Sequence, residues 1–157
     1  MSRLHIVAVG SKLPEWANAA CDEYLKRLPR GYETQLAQVR AEPRTSGKST
    51  EQLMTAEAQR LRAALPRGAR LVALDERGQD LTTAKFAARM RTWLDSGAPT
   101  AFLIGGPDGL DPAIKADCEL LLRLSSFTLP HALARVLFAE QLYRAASVLT
   151  GHPYHRE

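Results

Sequence analysis

The sequence has little that would cross-link it or place it in a membrane. Its 157 residues include only two cysteines, Cys21 and Cys118, too few for a disulfide framework. Both lie in apolar-periodic segments, as is typical of buried thiols in a reducing compartment. No apolar run approaches the ~20 residues that cross a bilayer, and the first ten residues lack the cleavage pattern of a signal peptide. We therefore expect a cytoplasmic protein with no membrane partner.

Neither sign of charge dominates the chain. Lys and Arg number 21 against 17 Asp and Glu, a net charge of +4, and 45% hydrophobic residues exclude disordered and fibrous classes. The cation excess lies in the first half, where residues 1–70 hold 12 cations and 7 anions, whereas residues 71–157 hold 9 and 10. Such asymmetry indicates either a nucleic-acid-facing surface or an ordinary solvated face. The length predicts a single domain over residues 1–157.

Strand-like and helix-like patterns alternate along the chain. The predicted strands are 4–9, 32–39, 71–74, 100–104 and 120–124. The predicted helices begin near Pro14, Ser49, Thr82, Asp111 and His131. This alternation predicts an α/β fold, with a mostly parallel sheet flanked by helices.

The helix that begins at Pro14 carries apolar residues at roughly every fourth position. These are Trp16, Ala20, Tyr24 and Leu28, and we expect them on its buried face. The helix from His131 to Leu149 has an apolar arc too wide for packing on one side only. Either that helix is deeply buried or its outer stripe contacts a second subunit.

Ligands of open parallel sheets lie beyond the carboxyl ends of the strands, which directs attention to the loops after Leu74, Ile104 and Leu124. Glycines in the loop Gly105–Gly109 let the backbone approach a ligand closely. The loop lacks the G-x-G-x-x-G spacing of dinucleotide sites, so a tight turn without a ligand is the alternative. The loop Ser125–Pro130 offers backbone groups and hydroxyls, and it suits a neutral heterocycle buried by its Phe and Leu.

Two further segments carry candidate chemistry. Gly47-Lys48-Ser49 is similar to the end of a phosphate-binding loop, but Glu42 occupies the position of the required first glycine. A mobile polar loop over 41–50 is the better interpretation. The tail offers His155 and Tyr154 as proton acceptor or donor and Arg156 as an anion-binding group, unless it is simply frayed. No ligand pattern beside the tail histidines supports a metal site, so none is expected.

Three long strings, in order, resemble one known family. They are LIGGPDGL at Leu103–Leu110, SSFTLPHALARVLFAEQLYRA at Ser125–Ala145 and HPYHRE at His152–Glu157. The opening IVAVGSKLP, Trp16 and YLKR at Tyr24–Arg27 are similar too. Over essentially the whole chain, the sequence resembles the ribosomal RNA large-subunit pseudouridine N3-methyltransferases of the SPOUT superfamily.

The resemblance implies a C-terminal trefoil knot, a homodimer, and a site formed between one subunit's cofactor pocket and elements of its partner. It implies S-adenosylmethionine as cofactor and a pseudouridine of 23S rRNA as substrate, presented on the assembled ribosome. The implied cofactor-binding residues are Leu74, Gly105, Gly106, Ser125, Ser126, Phe127, Thr128, Leu129 and Pro130.

The same resemblance gives the tail its roles. His155 is the expected base at the imide nitrogen, Tyr154 orients or stacks on the substrate base, and Arg156 contacts an rRNA phosphate or a developing anionic carbonyl. One short domain must supply its own RNA surface. The candidate phosphate contacts are Lys12, Lys26, Arg27, Arg30, Arg44 and Lys48.

Two other functions stay open from the residues alone. One is a non-catalytic ribosome-associated binding protein that retains the fold. The other is a nucleotide-binding oxidoreductase or NTPase on a doubly wound sheet, against which the missing fingerprint and Glu42 both argue.

Overall fold

The computed structural model describes residues 3–10, 13–45 and 47–156, and its centre is one five-stranded sheet. The strands are β1 (Leu4–Val9), β2 (Thr34–Val39), β3 (Arg70–Asp80), β4 (Thr100–Ile104) and β5 (Leu120–Arg123). The helices are α1 (Glu15–Lys26), α2 (Thr50–Ala63), α3 (Thr83–Asp95), α4 (Pro112–Ala116) and α5 (His131–Thr150). A 3₁₀ turn, Pro153–Arg156, follows α5. All strand pairs are parallel in the order β2-β1-β4-β3-β5, so the predicted α/β fold with a parallel sheet is confirmed.

The two central strands, β1 and β4, are buried on both faces because each face is covered by helices. Successive side chains of a strand point to opposite faces. Ile6 and Phe102 accordingly pack in the core beneath α3 and α5, while Val7 and Leu103 pack in the core beneath α2 and α4. This double burial explains why these strands are continuous apolar runs in the sequence.

Two helices begin where the sequence places their caps. The Ser49 hydroxyl accepts a hydrogen bond from the Gln52 backbone at 3.1 Å, and the Gln52 side chain accepts one from the Ser49 N–H at 2.9 Å. This reciprocal pair satisfies two N–H groups at the start of α2. At the start of α3 a single bond forms the cap, because the Thr82 hydroxyl accepts from the Lys85 N–H at 3.1 Å.

Strand β3 does not end at Asp75, as the sequence predicts, but continues to Asp80. Leu74 and Gln79 both pair with Leu122, so residues 75–78 form an extended bulge beside β5. Gly78 makes this possible, because a Cβ there would stand only 2.5 Å from the Leu121 carbonyl oxygen. The polar composition of the segment hid its strand character.

The prediction for α1 is wrong at Trp16. Ala17 and Cys21 are the buried residues of the helix, whereas Trp16 is 54% exposed. The predicted buried thiol is confirmed at Cys21. Cys118 is only half-buried, and desolvation raises its pKa to about 11. Across the three described segments, no helix is both long and apolar enough to cross a membrane.

Candidate functional site

The sheet order brings the predicted cofactor residues to one edge. Strands β4, β3 and β5 are neighbours and parallel, so their carboxyl ends meet there. Leu74 lies in β3, Gly105 and Gly106 directly follow β4, and the segment Ser125–Pro130 follows β5. Two segments distant in the chain from Leu74 therefore form a common rim with it, as predicted.

The loop after β4 is tightly folded on itself. Gly109 donates its N–H to the Gly106 carbonyl at 3.0 Å, and Gly109 has φ = +85°, which favours glycine. At Gly105 a Cβ would stand 2.7 Å from the Gly109 carbonyl carbon and 2.9 Å from its oxygen. The two consecutive glycines therefore keep a narrow strip of backbone clear of side chains, a shape suited to close approach by a ligand.

The loop Ser125–Pro130 is open rather than covered. The Phe127 N–H donates to the Ser125 hydroxyl at 2.9 Å, which fixes a local turn. Phe127 is 81% exposed in the isolated chain. Its ring is available to cover a ligand or another molecule.

Asp75, immediately after Leu74, is an anion at the rim. Burial alone would raise its pKa, but the Arg77 N–H at 2.8 Å and the Lys115 ammonium at 3.0 Å outweigh burial and lower it. Asp75 thereby ties the bulge of β3 to α4.

A buried arginine holds the carboxyl end of β1 against α5. Arg135 is 3% exposed and donates to the Val9 carbonyl at 2.9 Å, to the Gly10 carbonyl and to the Gln38 side chain at 2.8 Å. Burial lowers the pKa of Arg135 and also that of His131, one turn earlier, whose pKa the nearby Arg135 charge lowers further. These contacts fix the start of α5, directly after the Ser125–Pro130 loop.

Ion pairs tie the segment 41–48, predicted to be a mobile polar loop, to the rest of the chain. Glu42 is buried and accepts from Lys48 at 2.7 Å and from Arg60 at 2.5 Å, and these two bonds lower its pKa. Arg44 donates to Glu57 at 2.6 Å and to Asp108 at 2.9 Å. Because Lys48 is bonded to the carboxylate of Glu42, the phosphate-loop interpretation gains no support.

The tail packs on the carboxyl-terminal half of α5. The Tyr154 hydroxyl donates to Glu140 at 2.8 Å, and its ring lies 4.5 Å from the ring of Tyr143. Burial, reinforced by the bond to Glu140, raises the pKa of Tyr154 well above its ordinary value, so the phenol stays protonated. Nδ1 of His155 is buried with no hydrogen-bond partner in the described part of the chain, and Arg156 is exposed.

Within one chain, the tail and the cofactor rim are held apart. Glu140, which binds Tyr154, follows His131 by nine residues of α5. At ~1.5 Å per residue this separation is about 13 Å along the helix. The structure therefore brings the predicted cofactor residues together but leaves the predicted catalytic residues elsewhere on the same subunit.

Two connected clefts lie outside this rim. The clefts have volumes of about 340 and 570 Å³ and lie along α3 and the extension of β3. Gln79 and Arg89 line both of them. Neither shares a residue with the predicted cofactor set. In the parts of the chain that the structure describes, no group of three or more His, Cys, Asp or Glu could hold a metal ion.

Most of the predicted RNA-contacting cations already have acidic partners. Lys26 and Arg27 pair with Glu23 at 3.7 and 2.9 Å, in addition to the pairs of Arg44 and Lys48. Arg30 is exposed, and within the described segments it makes no ion pair. Lys12 lies outside the described residues.

Sequence reasoning missed four residues that organise the site: Glu57, Asp75, Arg135 and Glu140. Two of them left a detectable signal, because each is a charge inside an apolar stripe. Glu57 stands between Leu53 and Leu61 at four-residue spacing, and Arg135 stands in the most apolar helix. A charge in such a position indicates a buried partner.

Known proteins are similar to this chain over nearly its whole length. Residues 2–155 match the family model described as "Predicted SPOUT methyltransferase". A Bordetella pertussis protein named ribosomal RNA large subunit methyltransferase H is 54% identical over 154 residues, covering 98% of this chain and 99% of its own. The protein of that name in Methylibium petroleiphilum is 56% identical over 155 residues, covering 99% of both chains.

Solved structures share the fold at low identity. A probable methyltransferase from Bordetella pertussis superposes with a TM-score of 0.61 at 19% identity, covering 92% of this chain and 95% of its own. A probable methylase family protein from Haemophilus influenzae gives 0.58 at 14% identity, covering 98% and 70%. These likenesses concern the fold alone.

Proposed function

This chain belongs to the SPOUT methyltransferase family, and from that premise we propose that it transfers a methyl group from S-adenosylmethionine to large-subunit ribosomal RNA. The observation that carries the proposal is the 54–56% identity, over nearly the full length of both chains, to relatives named for that reaction. A ribosomal substrate places the enzyme in the cytoplasm, with ribosomal RNA as its partner.

The cofactor residues are those at the rim of β3, β4 and β5. Gly105 and Gly106 give a backbone strip without side chains, and Leu74 and Ser125–Pro130 flank it with apolar and hydrogen-bonding groups. When bound, S-adenosylmethionine supplies an already activated methyl group. The protein's task is then to hold the acceptor in line with that group and to exclude competing water. In a SPOUT protein this rim belongs to a trefoil knot through which α5 and the tail are threaded, and we propose the same here.

The acceptor is N3 of a pseudouridine in 23S rRNA, presented on the assembled ribosome. An imide N–H is a poor nucleophile until its proton is shared with a base. His155, whose buried Nδ1 has no hydrogen-bond partner in the described segments, is the residue to which we assign the acceptance of that proton. Tyr154 stays protonated, so it orients or stacks on the substrate, while the exposed Arg156 meets a phosphate or the developing charge on a carbonyl.

A homodimer completes the site, because the tail of one subunit serves the cofactor rim of the other. Two observations support this arrangement. The tail lies about 13 Å along α5 from its own rim, by the ~1.5 Å rise per residue. Trp16, Leu133 and Leu137 on α1 and α5 are exposed although large and apolar. Since α1 packs against α5, these side chains give one helical surface that a second copy would cover.

The RNA surface is formed by cations near the first two strands. Arg30 lacks an acidic partner within the described segments, and the side chain of Lys26 is 77% exposed despite its long contact with Glu23. Exposed ion pairs are weak, so Arg27 can exchange its partner for phosphate, whereas Lys48 is bonded to the buried Glu42 and exchanges less readily. Arg44 is committed to Glu57, and we expect it to contribute least.

We expect S-adenosylmethionine to raise the melting temperature. At a concentration about 100 times Kd the gain is about 2.7 kcal/mol, or roughly 5–10 °C for a chain of this size. A thermal scan measures it, with ATP and NAD as controls that leave the temperature unchanged. No shift would favour a non-catalytic ribosome-associated protein, and a shift with ATP or NAD alone would favour a nucleotide enzyme. Mass mapping of rRNA from cells lacking the protein then identifies the missing methyl group.

We also expect charge on the exposed stripe of α5 to split the dimer. Leu133→Glu with Leu137→Glu buries two unpaired carboxylates in the proposed interface, so the variant sediments at the 17.3 kDa chain mass rather than at twice that value. It keeps its circular dichroism but loses methylation. Ala88→Glu, which adds a charge to exposed α3, is the control and stays dimeric. A dimeric, active double variant would move the interface elsewhere.

A further inference from the structure

A buried carboxylate lies directly against the glycine loop. Glu57, in the middle of α2, is 2% exposed. Its Oε2 accepts from the Glu42 N–H at 3.0 Å and from Arg44 at 2.6 Å, while Oε1 is buried with no partner in the described segments. A Cβ at Gly106 would stand 2.9 Å from Oε1 and 3.3 Å from Oε2. The lack of a side chain at Gly106 is therefore what makes room for this carboxylate.

The same carboxylate reaches the glycine loop a second time, through Arg44. One Arg44 nitrogen donates to Glu57 and the other to Asp108 at 2.9 Å. Asp108 stands two residues after Gly106, on the exposed side of the loop. The loop is thus held at Gly106 by direct contact with Glu57 and at Asp108 by the arginine. We call Glu57, Arg44 and Asp108 the loop bridge.

Stability alone does not account for a carboxylate at this position. Leu53, Glu57 and Leu61 share one face of α2, and an apolar residue at 57 would complete that stripe without desolvating a charge. Buried ion pairs commonly add little net stability over apolar replacements, whereas they fix geometry through directional bonds. What the bridge fixes is the position of the 105–109 loop relative to the 41–48 segment.

We propose that Glu57 is a positioning residue for the cofactor, which acts through Arg44 and Asp108 to hold the 105–109 loop in its binding shape. The inference rests on the proposed function, because that function assigns Gly105 and Gly106 to S-adenosylmethionine. It also links the cofactor loop to the segment 41–48, which carries Arg44.

Two conservative variants and one control test the bridge. Asp108→Asn removes the charge at an exposed position without threatening the fold, and Glu57→Gln keeps the side-chain shape. Arg60→Met breaks a bond to Glu42 in the same network, but within the described segments Arg60 makes no hydrogen bond or ion pair with the 105–109 loop. The readouts are the S-adenosylmethionine Kd by calorimetry, the melting temperature without cofactor, and the separate values of KM and kcat.

Each bridge variant should weaken cofactor binding about tenfold, equal to about 1.4 kcal/mol. KM for the cofactor rises in parallel while kcat at saturation stays within about twofold, because the loop still reaches its binding shape once occupied. Arg60→Met should lower the melting temperature and leave Kd unchanged. The bridge acts as one unit. The Kd of the double variant Glu57→Gln with Asp108→Asn for S-adenosylmethionine should therefore be little higher than that of whichever single variant binds the cofactor more weakly.

Wild-type affinity in Asp108→Asn, whatever happens to the melting temperature of Glu57→Gln, would overturn the inference. Equal loss of affinity in Arg60→Met would also overturn it, because the network would then be merely structural. Failure of the wild-type protein to bind S-adenosylmethionine would instead refute the proposed function, and neither variant is needed to see that result.

Discussion

Replacing His155 with Ala should lower the single-turnover rate of methylation by roughly 10²–10⁴-fold while the S-adenosylmethionine Kd stays within about twofold. The imide proton of the acceptor must leave as the methyl group is transferred, and His155 carries the unpartnered ring nitrogen of the tail. In the described part of the chain the tail packs on the carboxyl-terminal half of α5 rather than at its own cofactor rim, so cofactor affinity should not depend on His155. Rapid-quench assays with excess enzyme and ribosomal substrate measure the rate.

Two further measurements separate proton transfer from tail folding. The Tyr154 N–H donates to His152 Nδ1 at 3.2 Å. His152→Asn keeps a side-chain acceptor for this N–H and should keep most of the activity. Added imidazole should partly restore the His155→Ala rate, because a small base can enter the space left by the ring. A parallel loss of cofactor affinity, with no recovery by imidazole, would make the tail a structural element.

The strands and helices were predictable from the sequence because local patterns determine them. β1 and β4 are short and mostly apolar, and the caps of α2 and α3 are residues whose side chains bind the first free N–H groups. The placement of the candidate cofactor residues at one edge was likewise predictable, since a parallel sheet brings the carboxyl ends of its strands together. Each of these inferences needed only neighbouring residues and one general rule.

The missed features depend on contacts between distant segments. Trp16 was assigned to the buried face of α1, yet the position of that helix on α5 buries Ala17 and Cys21 instead. The extension of β3 is polar and became a strand because Gly78 allows the backbone of β5 to approach. No periodicity shows which helix face meets a neighbour or which glycine admits a strand.

The location of positive charge has a different meaning once the ion pairs are known. The first half carries the excess, but Arg44, Lys48 and Arg60 are used to neutralise Glu42 and Glu57 in the network beside the glycine loop. Charge counting cannot separate cations that hold the protein together from cations that face a partner. Arg30 has no acidic partner in the described segments. It is therefore a better candidate for contact with an RNA phosphate than the paired cations of the first half.

Replacing Gly105 with Ala should weaken S-adenosylmethionine binding by about 10- to 100-fold. The added Cβ would stand 2.7 Å from the carbonyl carbon of Gly109, and backbone cannot yield as a flexible side chain does. Overpacking of this kind costs roughly 1–3 kcal/mol, so the loop relaxes away from its binding shape. Restoring that shape on binding costs a similar free energy, and each 1.4 kcal/mol raises Kd about tenfold. Calorimetric titration of the purified variant measures the loss directly.

Gly97→Ala is the matched control, because Gly97 flanks the opposite end of β4. Its φ of +85° strains an alanine, but nothing lies within 4 Å of the added Cβ. It should lower the melting temperature and leave cofactor binding intact. If Gly105→Ala also bound normally, the glycine loop would not be part of the cofactor site.

A mixture of Gly105→Ala and His155→Ala chains tests whether the site is shared. If the tail of one subunit serves the rim of its partner, each mixed dimer contains one site with an intact rim and an intact tail. Random exchange of equal amounts makes half of the dimers mixed. At a cofactor concentration too low for Gly105→Ala to bind, about a quarter of the wild-type activity should therefore return from two nearly inactive proteins. Were the tail to fold onto its own rim instead, every site would contain one of the two defects and mixing would restore nothing.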